Sequence, residues 1–246
     1  MSEVTDPVSS RYAIELQGLT KSFGAHHVLK GIDLKVSVGE RLAIFGPNGA
    51  GKTTLIKIVA TLIKPSAGTV LINGTGIRDK PEQIRSRLGV MGHHTFLYDN
   101  LTVYDNLKFY GSMYGVNNLD RTVREVIARV ELESRLYDRV GTLSRGMQQR
   151  VSLARAIIHN PSILFLDEPE TGLDPHAVSV MQGILDAPGV EYNTVLFTTH
   201  NIERGLELCD RLAILSEGRI VYQKPKEEID TANFKSVYDR YTGMSK

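Results

Sequence analysis

Eight consecutive residues limit what this chain folds into more than any other feature: Gly46-Pro47-Asn48-Gly49-Ala50-Gly51-Lys52-Thr53, a match to G-x-x-x-x-G-K-[ST]. The apolar run Leu42-Ala43-Ile44-Phe45 precedes it. Leu55, Ile58, Val59 and Leu62 follow at helical spacing across Thr53 to Ile63, until Pro65 stops the run. Strand, glycine-rich loop and helix in this order form a phosphate cradle. Glycines let backbone N–H groups curl around a phosphate without interference from Cβ, and the helix N-terminus adds a favourable dipole. Lys52 is expected to reach the β- and γ-phosphates, Thr53 to offer its hydroxyl to Mg²⁺ and Thr54 to touch the α-phosphate. The candidate nucleotide-binding set is Gly46, Pro47, Asn48, Gly49, Ala50, Gly51, Lys52, Thr53 and Thr54.

A second element, Ile163-Leu164-Phe165-Leu166-Asp167-Glu168-Pro169, is an apolar run ending in two acids. In an open α/β sheet the carboxyl ends of the strands are where ligands sit. Asp167 is therefore expected in the Mg²⁺ shell, and Glu168 facing the water that attacks the γ-phosphate.

Around these motifs, Tyr12 to Phe45 shows a strand and hairpin pattern. Pro81 to Asn160 turns helical, with segments Val103 to Tyr114, Asp120 to Val130 (Val123, Val126, Ile127 and Val130 on one face) and Arg145 to His159. Strand signals return at Ile163 to Leu166, Val195 to Thr198 and Leu212 to Leu215, as in a parallel sheet with crossover helices.

Bulk properties narrow the partners. The 246 residues carry 29 Lys+Arg against 28 Asp+Glu, a formal +1, which argues against a nucleic-acid partner held on a basic face. The single cysteine, Cys209, excludes an internal disulfide and a cysteine-rich metal site. The apolar runs fall far short of the ~18 to 20 residues that cross a bilayer, so a membrane role is expected to come from another chain.

Leu143-Ser144-Arg145-Gly146-Met147-Gln148-Gln149-Arg150, shortly before the acidic strand, resembles the LSGGQ signature of the ABC ATPase family. That resemblance implies an α/β P-loop NTPase (RecA-like) parallel-sheet core with an N-terminal antiparallel β subdomain and an inserted helical subdomain. It implies ATP and Mg²⁺ as cofactors and a dimer in which Ser144 and Gly146 meet ATP bound to the second nucleotide-binding subunit, of the same or a different kind. Ser144 also reads as a helix N-cap, and the two readings are compatible. Arg145 stands where the family has the first glycine of its pair, and Met147 where it has glutamine.

Further positions follow the same resemblance. Thr171-Gly172-Leu173-Asp174 resembles the D-loop, which makes Asp174 a cross-subunit candidate or, more plainly, a helix cap before Pro175. His200, after Val195-Leu196-Phe197-Thr198-Thr199, resembles the switch histidine that orients the attacking water. Phe23 matches the aromatic that stacks on adenine, with core packing as its alternative. His93 stands where the family has glutamine; it is expected to act as a modified γ-phosphate sensor and metal-shell residue, and its alternative is an exposed polar loop with His94.

The resulting organisation is a leader (residues 1–11), β subdomain and P-loop part of the core (12–92), helical signature subdomain (93–155), remainder of the core (156–222) and a tail without assigned role (223–246). Phe96-Leu97-Tyr98, with Phe109, Tyr110 and Tyr114, is expected to offer part of a groove to a helix of a transmembrane permease subunit. Gly92 to Tyr98, Ser144 to Arg150 and Asp167 to Asp174 together look most like the ATPase subunits of haem exporters in cytochrome c maturation. The function expected is ATP hydrolysis that drives export from the cytoplasmic face of a membrane. The alternative, a soluble ABC-type ATPase acting on DNA or ribosomes, usually shows tandem cassettes, long coiled-coil insertions or zinc-binding cysteines. A P-loop kinase leaves the signature and His200 unexplained.

Overall fold

The computed structural model describes residues 11–92, 94–170, 175–187 and 194–243. Strands β1 (Tyr12–Phe23) and β2 (His26–Ser37) form a long hairpin closed by Gly24 in the left-handed region. After β3 (Arg41–Phe45), helix α1 (Lys52–Val59) leads to β4 (Ala67–Ile72) and the two-residue β5 (Thr75–Gly76). These close a four-stranded antiparallel sheet in the order β2-β1-β4-β5. Helix α1 is shorter than the apolar spacing suggests. The chain leaves helical geometry after Ala60 because Thr61 adopts φ 61°, several residues before Pro65.

Helix α2 (Pro81–Arg85) and β6 (Leu88–Met91) precede α3 (Val103–Met113), α4 (Leu119–Arg129) and α5 (Arg145–Ile157). The chain then alternates through β7 (Ile163–Asp167), α6 (Pro175–Asp186), β8 (Thr194–Thr199), α7 (Ile202–Leu208) and β9 (Arg211–Ser216). It finishes with β10 (Arg219–Pro225) and α8 (Phe234–Thr242). The main sheet runs β10-β9-β3-β8-β7-β6, parallel except for the β9-β10 hairpin at one edge.

Alternation along β3 divides the interior in two. Leu42 and Ile44 face α1 and the antiparallel sheet, whereas Ala43 and Phe45 face the helices, so the strand is apolar throughout. Val123, Val126, Ile127 and Val130 of the α4 region fill the helical side with Val103, Leu107 and Val151. The α/β expectation holds, and two elements add to it. Within the stretch Pro81 to Asn160, read as helical, β6 is the edge strand of the main sheet. The solvated Lys226–Glu228 run is a single 3-10 turn before α8, whose Phe234 and Tyr238 are buried. Phe234 meets Phe45 edge to face at 5.4 Å between ring centroids.

Polar side chains of α5, with His159 two residues beyond its end, cover the open side of β6 and the segment after it. Ser152 Oγ donates to Thr95 O, Arg155 Nη2 donates to Val90 O at 2.7 Å, and His159 Nε2 lies 3.0 Å from Leu88 O. An edge strand leaves carbonyls such as those of Leu88 and Val90 unpaired, and here Arg155 of α5 and His159 just beyond it satisfy them. Burial holds the His159 imidazole neutral, with its pKa down to about 4.

Candidate active site

Register sets the site. Phe45 of β3 pairs with Thr199 of β8, and Asp167 of β7 pairs with Thr198, so three neighbouring parallel strands end level with one another. The glycine-rich loop, Glu168 and His200 leave from those ends, on the carboxyl edge where α/β sheets bind ligands.

Two glycines of the loop meet steric limits. Gly51, the N-cap of α1, has φ 107°, and a Cβ there meets Leu29 Cδ2 at 2.8 Å. A Cβ on Gly46 falls 2.3 Å from the backbone oxygen of Leu215. Gly46→Ala is therefore expected to shift β3 against β9 and to destabilise the fold by about 1 to 3 kcal/mol. Urea denaturation checks this, and a midpoint equal to the parent's contradicts it.

Lys52, 5% exposed, donates from Nζ to Gly46 O at 2.7 Å and Pro47 O at 3.2 Å, and pairs with Glu168 Oε1 at 3.3 Å. Its three donors thus fold the loop around the ammonium. Asp167, 6% exposed, accepts the Thr198 hydroxyl at 2.7 Å. That hydroxyl oxygen accepts from Glu168 N at 3.1 Å.

Regular strand alternation sends adjacent carboxylates to opposite faces. Glu168 breaks the alternation with φ 50°, a conformation that is unfavourable for a residue bearing Cβ and that clusters at functional sites. There its second oxygen lies 3.4 Å from His200 Nδ1, and the imidazole is 55% exposed.

A cleft of about 310 Å³ is lined by His26, Val28, Asn48, Gly49, Gly51, Lys52, Thr53, Thr54 and Glu168. The larger groove of about 670 Å³ beside Arg41, Cys209 and Lys226 holds none of the candidate site residues. His26 and Val28 form a wall of the first cleft that the sequence motifs do not announce; only their place just after the β1-β2 turn hints at it.

Phe23, Ser144 and Gly146 do not line this cleft. Phe23 is 52% exposed at the end of β1, with Lys21 Nζ 4.7 Å from its ring centroid. Ser144 caps α5, its hydroxyl accepting from Met147 N at 3.3 Å. His93 and Asp174 lie outside the described residues. Two further side chains went unread in the sequence: Thr198, which holds Asp167, and Glu170, which accepts the Thr199 hydroxyl.

The donors suit a magnesium nucleotide. Among the described residues no three His, Cys, Asp or Glu side chains gather as a metal cage. Mg²⁺ needs none, since it is held by one or two protein oxygens and by substrate phosphates. Asp167 and Thr53 carry hard oxygens of that kind and are the residues that could hold the ion. The buried Lys52 ammonium beside the loop backbone is what could hold an anion.

A phosphate loop on the first of these strands, an acidic pair ending another and a further strand between them define a P-loop nucleotide-binding ATPase. Residues 29–171, more than half the chain, match the family described as ABC transporter. The chain is 34% identical over 204 residues to the ABC transporter ATP-binding protein NatA of Bacillus subtilis (strain 168), covering 82% of this chain and 83% of that protein. It is 38% identical over 214 residues to the Nod factor export ATP-binding protein I of Rhizobium sp. (strain N33), covering 85% and 70%. Its fold matches the dimeric post-hydrolysis structure of the ATP-binding cassette MJ0796 bound to ADP and Pi. The TM-score is 0.77 at 26% identity, over 88% of this chain and 100% of that one. The chain belongs to the ABC transporter family and is an ATP-binding, ATP-hydrolysing subunit that works with Mg²⁺.

Proposed function

We propose that this subunit is half of an export motor: two nucleotide-binding subunits close on ATP, hydrolysis reopens them, and the movement passes to a separate permease. The observation that carries the reading is the convergence of Lys52, Glu168 and His200 at the level ends of three parallel strands, at 3.3 and 3.4 Å. Phosphoryl transfer asks a protein for positioning and charge stabilisation, and this constellation has the means for both.

In this reading Gly46 to Gly51, Thr54 and Lys52 hold the phosphates, and Phe23, exposed with a lysine on its ring, stacks on the adenine. Thr53 and Asp167 hold Mg²⁺, with His93 completing the γ-phosphate surroundings. When bound, that ion neutralises charge on the β- and γ-oxygens. Glu168 takes a proton from the attacking water, which His200 orients. Ser144 and Gly146, at the N-terminus of α5, serve the ATP of the second subunit, and Asp174 is assigned to cross-subunit communication. Ser144 and Gly146 do not line the cleft of their own chain, which supports their supply by a second copy or a related subunit.

No helix among the described residues is long and apolar enough to cross a membrane, which supports peripheral attachment at the cytoplasmic face through the permease. The docking surface is the exposed aromatic set Phe96, Tyr98 and Phe109, where Tyr98 packs edge-on to Phe109 at 5.4 Å. Buried Asn106 braces it through Tyr98 N and Tyr98 O at 2.8 and 3.0 Å. Tyr98→Ala is expected to weaken permease association by about 2 kcal/mol, roughly 30-fold, as for an aromatic anchor of an interface. Co-purification of the permease with the variant measures it, and undiminished recovery removes Tyr98 from the docking surface.

Export as the direction is supported by the Nod factor relative. Haem as cargo is supported only by the three short segments that resemble haem-exporter ATPases, and neither relative compared here is named for haem. Affinity purification from detergent-solubilised membranes tests the whole reading, with a co-purifying integral membrane subunit as the expected result. Recovery with ribosomes or DNA and no membrane protein would overturn it.

A further inference from the structure

Two consecutive threonines at the end of β8 each hold an acid, one at the end of β7 and one in the chain just after it. Thr198 donates to Asp167, and buried Thr199 donates to Glu170. The first bond orders a residue already placed in the site. The second orders one that has no role so far.

The Thr199 hydroxyl oxygen also accepts the N–H of Asn201 at 2.9 Å. Asn201 in turn caps α7, its side chain accepting from Arg204 N at 3.1 Å. His200 therefore sits between two residues fastened to one hydroxyl, and Glu170 fixes that hydroxyl. On the other strand, Glu168 lies between Asp167 and Glu170, both tied to β8. The same two bonds thus clamp both members of the Glu168–His200 pair.

A carboxyl at position 170 is unfavourable unless it does something. It is half-buried, and burial pushes its pKa up while the Thr199 hydrogen bond, its own backbone N–H and nearby His200 pull it down; Glu168 adds like-charge repulsion. A smaller polar residue would avoid both the burial and the repulsion. It would not span from this loop to Thr199.

We propose that Glu170 is a positioning residue for hydrolysis, which acts through Thr199 to hold His200 against Glu168. The proposal rests on the reading in which Glu168 and His200 serve the attacking water. Misplacing a reacting group by about 1 Å is enough to cost up to ~100-fold in rate. An intermediate loss is expected here, because the Asp167–Thr198 bond survives.

Steady-state ATP hydrolysis by the full chain tests this. Glu170→Ala is expected to lower kcat by about 10-fold with the KM for ATP within about 2-fold, since the phosphate cradle is untouched. Glu170→Gln keeps an oxygen that accepts the Thr199 hydroxyl and is expected to recover most of the rate. Thr199→Val, which removes the hydroxyl and leaves the acid, is expected to match Glu170→Ala, and decides the matter should Glu170→Ala fail to fold.

In a His200→Ala background, Glu170→Ala is expected to cost less than about 2-fold more, because residues on one path are not additive. A Glu170→Ala or Thr199→Val enzyme with the parent kcat overturns the proposal. So does Glu170→Gln as slow as Glu170→Ala, or an equal loss with and without His200. His200→Ala alone at the parent rate would instead sink the role given to His200, so the two failures are distinguishable.

Discussion

Glu168→Gln is expected to bind ATP at least as tightly as the parent, to lose turnover by about 10² to 10⁴-fold and to accumulate as an ATP-bound dimer. Glutamine is nearly isosteric with glutamate and takes φ 50° no less easily, so the turn after β7 is preserved. The cradle keeps Lys52 and the loop carbonyls around it. What disappears is one anion opposite the ammonium and, in the proposed reading, the acceptor for the water's proton. The Lys52–Glu168 contact at 3.3 Å competes with a γ-phosphate for the same charge, and neutralising it favours the nucleotide. Product release and size-exclusion chromatography with Mg·ATP measure the two effects. A variant with turnover within about 2-fold of the parent would remove Glu168 from its role.

Replacing Lys52 with methionine is expected to act at the opposite stage and weaken binding severely. The ammonium is buried, and charge-assisted hydrogen bonds contribute ~1.5 to 3 kcal/mol each. Two such bonds to phosphate oxygens total about 3 to 6 kcal/mol, or roughly 10² to 10⁴ in affinity at ~1.4 kcal/mol per tenfold. The pair with partly exposed Glu168, which nucleotide displaces, offsets about 1 kcal/mol at most. Phosphate therefore wins, and its loss dominates. The check is thermal unfolding with and without nucleotide: the parent gains about 2.7 kcal/mol at 100 times its Kd, and the variant is expected to gain at most about 0.4 kcal/mol at that concentration. An unchanged shift would mean that loop amides alone hold the phosphates.

The legible parts of the site were those written contiguously. Gly46 to Thr54 declared itself because one loop wraps one phosphate chain, and Asp167-Glu168 because a buried strand ending in two acids has few other uses. Thr198 and Thr199 were not legible as functional. In sequence they are two more β-formers on a buried strand, and only the pairing of β8 with β7 shows that each holds an acid. His26 and Val28 were hidden for the same reason: a hairpin from the other sheet brings them to the cleft.

In the fold, the double-faced burial of the central strands was readable as unbroken apolar runs. Strand β6 was missed because Leu88-Gly89-Val90-Met91 is too short to separate from helical neighbours by periodicity. Helix α8 was overshadowed by the charged turn before it.

That last helix bears on how the protein is made. Phe45 ends the strand that launches the phosphate loop, and the ring against it, Phe234, is translated after every strand of both sheets. Synthesis delivers the N-terminal part first, so the loop, acids and threonines leave the ribosome before the wall behind β3 does. The core behind β3 is therefore completed late in the life of the nascent chain, once α8 has emerged and docked.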